Sequence, residues 1–441
     1  MKPARWLADY GMILVLVLLC ALFSVLTYTE QSPTGEAAAR QVVDAVLKAV
    51  PAGARVLVVA SDQPEDSGFA ARVERDLKAS GAEVLASVTG EPRNAREALQ
   101  RLQADGGALQ AVAATRVAGG WRVFAGLASE FPSLGSPRMI TPASHRWPNF
   151  LKSGNLLNIA NQIAVIAIVA VGMTLVIITG GIDLSVGSLI ALSAVLAAGF
   201  IRDRAGGVGA STGGMVLGCL WAILACGAIG AFSGLMITRF AIPPFIVTLA
   251  MMLVGSGLAY LLAQGQSIYQ IPDAFVWLGR GADLLGLPNA VVLMLVLYAL
   301  AHVLMSRMKL GRYLYAVGGN AEAARLSGVP VRRVLLFAYV ASGLLAGVGG
   351  VVMASQLKSG SPTYGNMYEL YVIAAVVVGG TSLSGGEGRM LGTLTGAFTI
   401  AVIQNGMNLT NVESYTQKVV LGSVILAAVL LDRLRQGRGI R

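Results

Sequence analysis

The feature that most constrains this chain is a succession of apolar stretches of similar length, separated by short polar turns. A typical one is LNIANQIAVIAIVAVGMTLVIIT, residues 157–179. A bilayer core about 30 Å thick asks for about 20 apolar residues per helix. Membrane spans are therefore expected at 157–179, 184–201, 214–238, 243–263, 288–306, 334–355, 370–380, 390–407 and 418–431. Residues 370–380 are too few to cross alone and read as a broken helix. A further run, GMILVLVLLCALFSVL, follows MKPARW and makes ten. It is followed by TYTEQ rather than a small-x-small cleavage pattern, so it reads as a signal anchor. Composition agrees: only 13% of residues are charged, against about 25% in an average soluble domain.

The net charge of +10 in a soluble protein would suggest a polyanionic partner. No basic stripe with interleaved aromatics is present, so nucleic acid is not an expected partner. The basic residues gather instead at alternate ends of the spans. Short loops and termini assigned inside carry 14 Lys and Arg, including Lys2, Arg5, those at 307–312 and 325–333, and the tail at 433–441. Loops assigned outside carry five: Arg202, Arg204, Arg280, Lys358 and Lys418. This bias places both termini in the cytoplasm.

Residues 30–150 have a different character, with frequent charges and no long apolar run. EAAARQVVDAVLKAV reads as an amphipathic helix and ARVLVVA as a buried strand. In FAARVERDLKAS, Phe69, Val73 and Leu77 share one helical face. AEVLAS, NAREALQRLQ and ALQAVAAT continue the alternation, and WRVFAGLA is a candidate fourth strand. Strand–helix alternation implies a small α/β domain with a parallel sheet, lying outside the cell by the topology above. The expected fold is thus an all-α polytopic membrane protein of about ten spans, with an extracytoplasmic α/β domain inserted after the first. Its segments are 1–29, the α/β domain 30–150, a membrane domain 151–432 with a cytoplasmic loop at 307–333, and a basic tail 433–441.

Cys20, Cys219 and Cys226 all lie in apolar runs, and their odd number and spacing argue against a disulfide framework or zinc site. His145 and His302 have no ligand-like neighbours. Neither a metal nor a cofactor is expected. LSGGE at 383–387 has the letters of an ATPase signature. A nucleotide site also needs a Gly-rich loop ending in Lys and Ser or Thr, and no GxxxxGK[ST] occurs. Apolar runs flank LSGGE on both sides, so it reads as a tight turn between helices, with Glu387 and Arg389 at the water edge. No catalytic residue is expected. Gly pairs four apart, at 230 and 234, 343 and 347, and 392 and 396, predict close helix packing.

Three long motifs occur in order: GMTLVIITGGIDLSVGSLIALSA (172–194), GRYLYAVGGNAEAARLSGVPV (311–331), and GGTSLSGGEGR followed by GTLTGA and NGMNL. Together they resemble the sugar-importing ABC permeases of the ribose type, over residues 155–432. The resemblance implies a permease that does not hydrolyse ATP itself. It implies three kinds of partner: an ABC ATPase subunit, a periplasmic sugar-binding protein, and a second permease copy or sister permease. It implies a bacterial inner-membrane location. The segment AEAARLSG then corresponds to the coupling helix that docks on the ATPase, with Gly319, Asn320, Glu322, Ala323, Arg325, Leu326, Ser327 and Gly328 forming it.

A sugar offers hydroxyls and no net charge, so its pathway calls for neutral polar groups. Asn161, Gln162, Gln404 and Asn405 are candidates, as well as interhelical ties. Asp183 interrupts an apolar stretch after Gly180 and Gly181, and with Ser185 it can either cap the next helix or line or gate the pathway. The insert at 30–150 departs from the family pattern. Its first half resembles the start of the N-terminal lobe of periplasmic sugar-binding proteins. A docking platform, a vestigial lobe and a stability insert all fit. Two rival readings remain: an ion-coupled secondary transporter, and a membrane-anchored sensor working through the insert.

Overall fold

The computed structural model describes residues 3–437, so Lys2, Arg438 and Arg441 lie outside the described residues. Two compact units are present: 28–148, and the remainder comprising 1–27 and 149–441.

The smaller unit begins and ends with a two-stranded antiparallel ribbon of β1 (Tyr28–Gln31) and β6 (His145–Pro148). Between them lie α2 (Gly35–Ala49), β2 (Arg55–Ser61), α3 (Phe69–Ala79), β3 (Glu83–Gly90), α4 (Pro92–Ala104), β4 (Ala111–Ala114) and β5 (Arg138–Ile140). Strands β2 to β5 form one parallel sheet in the order β3-β2-β4-β5. The two-residue period of β2 divides its side chains between two cores. Val56, Val58 and Ala60 pack with α2 and with Phe69, Val73 and Leu77 of α3. Leu57 and Val59 pack with Ala95 and Leu99 of α4.

One expectation for this unit is corrected. WRVFAGLA is not a strand but two single-turn helices, Arg122–Ala125 and Leu127–Glu130. Val123, Leu127 and Phe131 are buried, and their spacing of four selects a helical face. The edge strand comes later, at Arg138–Ile140.

The larger unit is built mainly of helices. It contains α1 (Pro3–Leu26), α5 (Ser153–Ile178), α6 (Val186–Asp203), α7 (Thr212–Phe240), α8 (Pro244–Leu262), α9 (Asn289–Arg307), α10 (Lys309–Gly319), α11 (Ala321–Leu326), α12 (Val331–Leu357), α13 (Tyr368–Val378), α14 (Met390–Leu409) and α15 (Ser414–Gly437). Every apolar run read from the sequence falls on one of these helices. Six of them, α5 to α9 and α12, are long and apolar enough to cross a membrane among the described residues. The chain is a polytopic membrane protein. Helix α13 has only 11 residues, as its short run implied.

Helix α5 is the centre of the bundle: 89% of its most apolar window is buried, against 28% for α8. Its Gly172 lets the α12 backbone approach, since a Cβ there would lie 2.7 Å from the Ser342 Cα. Thr174 Oγ1 meets Thr393 Oγ1 at 2.8 Å and joins α5 to α14. Helix α1 packs on α14, with the Phe23 ring against Gly406 and stacked on Phe150 at 6.2 Å. Helices α7 and α12 cross where Gly230 and Gly343 meet.

Candidate functional site

Four groups of residues bear on function, and the first is the loop helix α11. Gly318 and Gly319 end α10, and Asn320 leaves the helical region to become the N-cap of α11. Its side-chain oxygen accepts from the Ala323 N–H at 2.9 Å, which satisfies one of the free donors of the first turn. At the other end the Val329 N–H donates to the Ala324 carbonyl at 3.0 Å, and Gly328 takes a φ of +83°. This is a left-handed stop that Gly adopts without strain. Pro330 precedes the first residue of α12. A six-residue helix thus stands between two longer ones, closed at both ends.

All of α11 except Ala324 is exposed. The Arg325 Nε donates to a Glu322 carboxylate oxygen at 3.0 Å. That hydrogen bond and the guanidinium charge hold the Glu322 carboxyl below its ordinary value, so the pair is ionised at neutral pH. Beside it Leu326 is 76% exposed. An exposed leucine next to a fixed ion pair on a rigid turn is a surface suited to docking. Ala323, Ser327 and Gly319 lie on the same exposed stretch.

The second group is the break between α5 and α6. Gly180, with a φ of +79°, ends α5, and its N–H donates to the Ile177 carbonyl at 2.9 Å. Asp183 is buried. One carboxylate oxygen accepts from the Ser185 N–H at 3.0 Å and from the Ser185 hydroxyl at 2.6 Å. The other accepts from the Ser342 hydroxyl on α12 at 2.7 Å. The expected backbone acceptance occurs, but on Ser185, which is itself the N-cap residue of α6. Asp183 therefore folds the break and ties it to α12. From α8, the Thr248 hydroxyl donates to the Ile182 carbonyl at 3.2 Å.

The third group lines a cavity of about 250 Å³ among α5, α12, α13 and α14. Gln162 and Gln404 meet there, with Gln356 and Tyr368. Asn161 and Asn405 do not join them. The Asn161 Nδ2 donates to the Gly279 carbonyl at 3.0 Å, and its own carbonyl accepts from Gln356 Nε2 at 2.8 Å. Asn405 forms a reciprocal amide pair with Asn155, at 3.0 and 2.9 Å. Gln356, Tyr368 and Asn155 were not singled out in the sequence. A polar residue facing an apolar run was the only available signal, and it does not reveal a partner 250 positions away.

The fourth group lines a cavity of about 260 Å³ between α6, α8 and the segment before α13. Ser188, Ser256, Tyr260, Thr363 and Glu369 contribute polar groups. The neighbouring residues Tyr368 and Glu369 thus face different cavities from the first turn of α13.

Apolar helices packed through glycines, polar cavities between them and a capped, exposed loop helix define a polytopic membrane protein. The family described as branched-chain amino acid transport system / permease component matches residues 155–429, and the chain belongs to that family. Residues 28–148 lie outside the match. Among its relatives is the ribose import permease protein RbsC of Escherichia coli (strain K12), 43% identical over 293 residues, which cover 66% of this chain and 88% of that protein. RbsC of Bacillus subtilis (strain 168) is 44% identical over 304 residues, 68% of this chain and 92% of its own length. The D-allose transport system permease protein AlsC of Escherichia coli (strain K12) is 36% identical over 285 residues, 65% and 85% of the two chains. No solved structure matches the chain.

Proposed function

We propose that this chain is the membrane-spanning permease subunit of an ATP-driven importer of a simple sugar, in a bacterial inner membrane. The observation that carries the reading is the exposed, capped α11 in a chain whose relatives are named as permeases for ribose and D-allose. The chain is not itself an enzyme; a separate ATPase chain hydrolyses ATP. A periplasmic binding protein delivers the sugar, and a second permease, either a copy or a sister, completes the pathway. Ten helices cross the membrane, with both termini in the cytoplasm and residues 28–148 outside, in line with the charge bias of the loops. Exposed apolar side chains on α7 and α8, such as Leu217, Leu224, Leu253 and Leu261, offer surface to lipid and to that second permease.

Helix α11 is the coupling element, with Glu322, Arg325 and Leu326 as its contacts. Gln162 and Gln404, with Gln356 and Tyr368, offer the sugar neutral donors and acceptors. Asp183, Asn161 and Asn405 tie neighbouring elements together through their hydrogen bonds, and Ser185 holds Asp183 in place by donating to it within the break. The insert serves as a docking platform for the binding protein.

Proteoliposomes holding this chain, its ATPase and its binding protein test the assignment. Uptake of labelled ribose or D-allose should require ATP and persist when ion gradients are collapsed. Uptake driven by a proton or sodium gradient without the ATPase overturns it.

A further inference from the structure

The turn that carries the LSGGE letters has no part in the reading above, yet its packing is unusually close. Residues 382–388 fold on themselves: the Ser382 N–H donates to the Glu387 carbonyl at 3.2 Å, and the Gly385 N–H to the Ser382 carbonyl at 3.1 Å. Gly385 and Gly386 take φ values of +83° and +76°. The turn lies directly on two other backbones. The Gly386 N–H donates to the Ile178 carbonyl, the last residue of α5, at 2.8 Å. The Tyr315 hydroxyl of α10 donates to the Gly388 carbonyl at 2.7 Å.

No side chain fits at this junction. A Cβ on Gly318 would stand 1.7 Å from the Ile178 oxygen and 2.5 Å from the Gly386 nitrogen. A Cβ on Gly385 would stand 2.9 Å from the Gly318 oxygen and 3.0 Å from the Gly180 nitrogen. Three elements therefore meet main chain to main chain, with the Tyr315 hydroxyl as an added tie: the end of α10, the glycine turn, and the end of α5 with the break that follows. Gly318 is two residues before Asn320, the cap of α11. Ile178 leads into the segment that Asp183 ties to α12 and that Thr248 ties to α8.

We infer that the glycine turn at 384–388 is a mechanical link that carries displacement of the coupling helix into the break between α5 and α6. Main-chain contact suits this role. A side-chain interface can absorb a small shift by changing rotamer, whereas a backbone hydrogen bond under two glycines has no such slack, and coupling travels through packed, contiguous elements. Motion of α11 is passed through Gly318 and Tyr315 to the turn. From there it reaches Ile178 and the Asp183 segment, where α8 and α12 are held. The link rests on the proposed coupling role of α11, and its test separates the two.

The permease–ATPase complex in nanodiscs is compared by hydrogen–deuterium exchange before and after trapping with ATP and vanadate. Residues 321–326 report docking and residues 179–185 report the pathway side. In the wild type both segments should respond. In Tyr315→Phe, which removes one hydroxyl, and in Gly386→Ala, which crowds the turn, 321–326 should still be protected by the ATPase. The response at 179–185 should fall by about fivefold, the low end of typical coupling between sites. Tyr315→Phe keeps the test decisive if Gly386→Ala does not assemble. An unchanged response at 179–185 in an assembled variant overturns the link. A wild type in which 321–326 gains no protection overturns the coupling role of α11 itself.

Discussion

At the scale of single residues, Asp183 is a buried acid with three hydrogen-bond donors, the Ser185 N–H, the Ser185 hydroxyl and the Ser342 hydroxyl. Removing it leaves the Ser185 and Ser342 hydroxyls and one backbone N–H without that acceptor. Asp183→Ala is expected to destabilise the purified permease by about 3 kcal/mol, and Ser342→Ala by about 1 kcal/mol, since a lost acceptor strands more groups than a lost donor. Thermal unfolding in detergent checks this; equal midpoints for the two variants would contradict the assigned role. Asn320→Ala removes the cap of α11, at about 1 kcal/mol of local helix stability. It should weaken capture of the ATPase while leaving the bundle's unfolding midpoint in place. The sequence made Asp183 visible because it interrupts an apolar stretch, and Asn320 because it lies in the loop motif that resembles the family's coupling helix. It could not reveal Ser342, 159 positions from Asp183, because a lone serine in an apolar run is unremarkable. The same holds for Gln356 and Tyr368, which join Gln162 and Gln404 only through folding.

At the scale of elements, periodicity and glycine spacing carried most of the information. Apolar runs identified the long helices because length and hydropathy are local properties. The glycine pairs identified close crossings without naming partners. Gly230 and Gly234 pack on α12, Gly343 and Gly347 on α7, and Gly392 and Gly396 on α13. A Cβ on Gly343 would fall 2.5 Å from the Cys226 carbonyl oxygen, so the two helices must separate to admit it. Gly343→Ala is expected to destabilise the fold by about 1–3 kcal/mol, the range for overpacking a close contact. Gly257→Ala, with no atom near its Cβ position, is the control and should be neutral or better. Similar losses in both would contradict the packing argument. The reading failed where two periods compete. WRVFAGLA is short and mixed, and only the burial of Val123, Leu127 and Phe131 together decides for helical turns.

At the scale of the whole molecule, the chain joins two architectures: a helical membrane unit that contains the whole family match, and an α/β unit inserted between its first two long helices. The α/β unit closes its own two cores around β2, so its removal need not disturb the bundle. Deleting residues 35–145 is expected to cut sugar uptake while leaving the ATPase bound; undiminished uptake would remove the docking role.

The central claim is that this permease meets an ATPase through α11. The most direct measurement is co-purification from detergent of the tagged chain with its proposed ABC ATPase subunit. Wild type is compared with a variant carrying Glu322→Ala, Arg325→Ala and Leu326→Ala. The ATPase should be retained by the wild type and lost by the variant, with the variant still folded. Absence of the ATPase from the wild type, or its full retention by the variant, would contradict the claim.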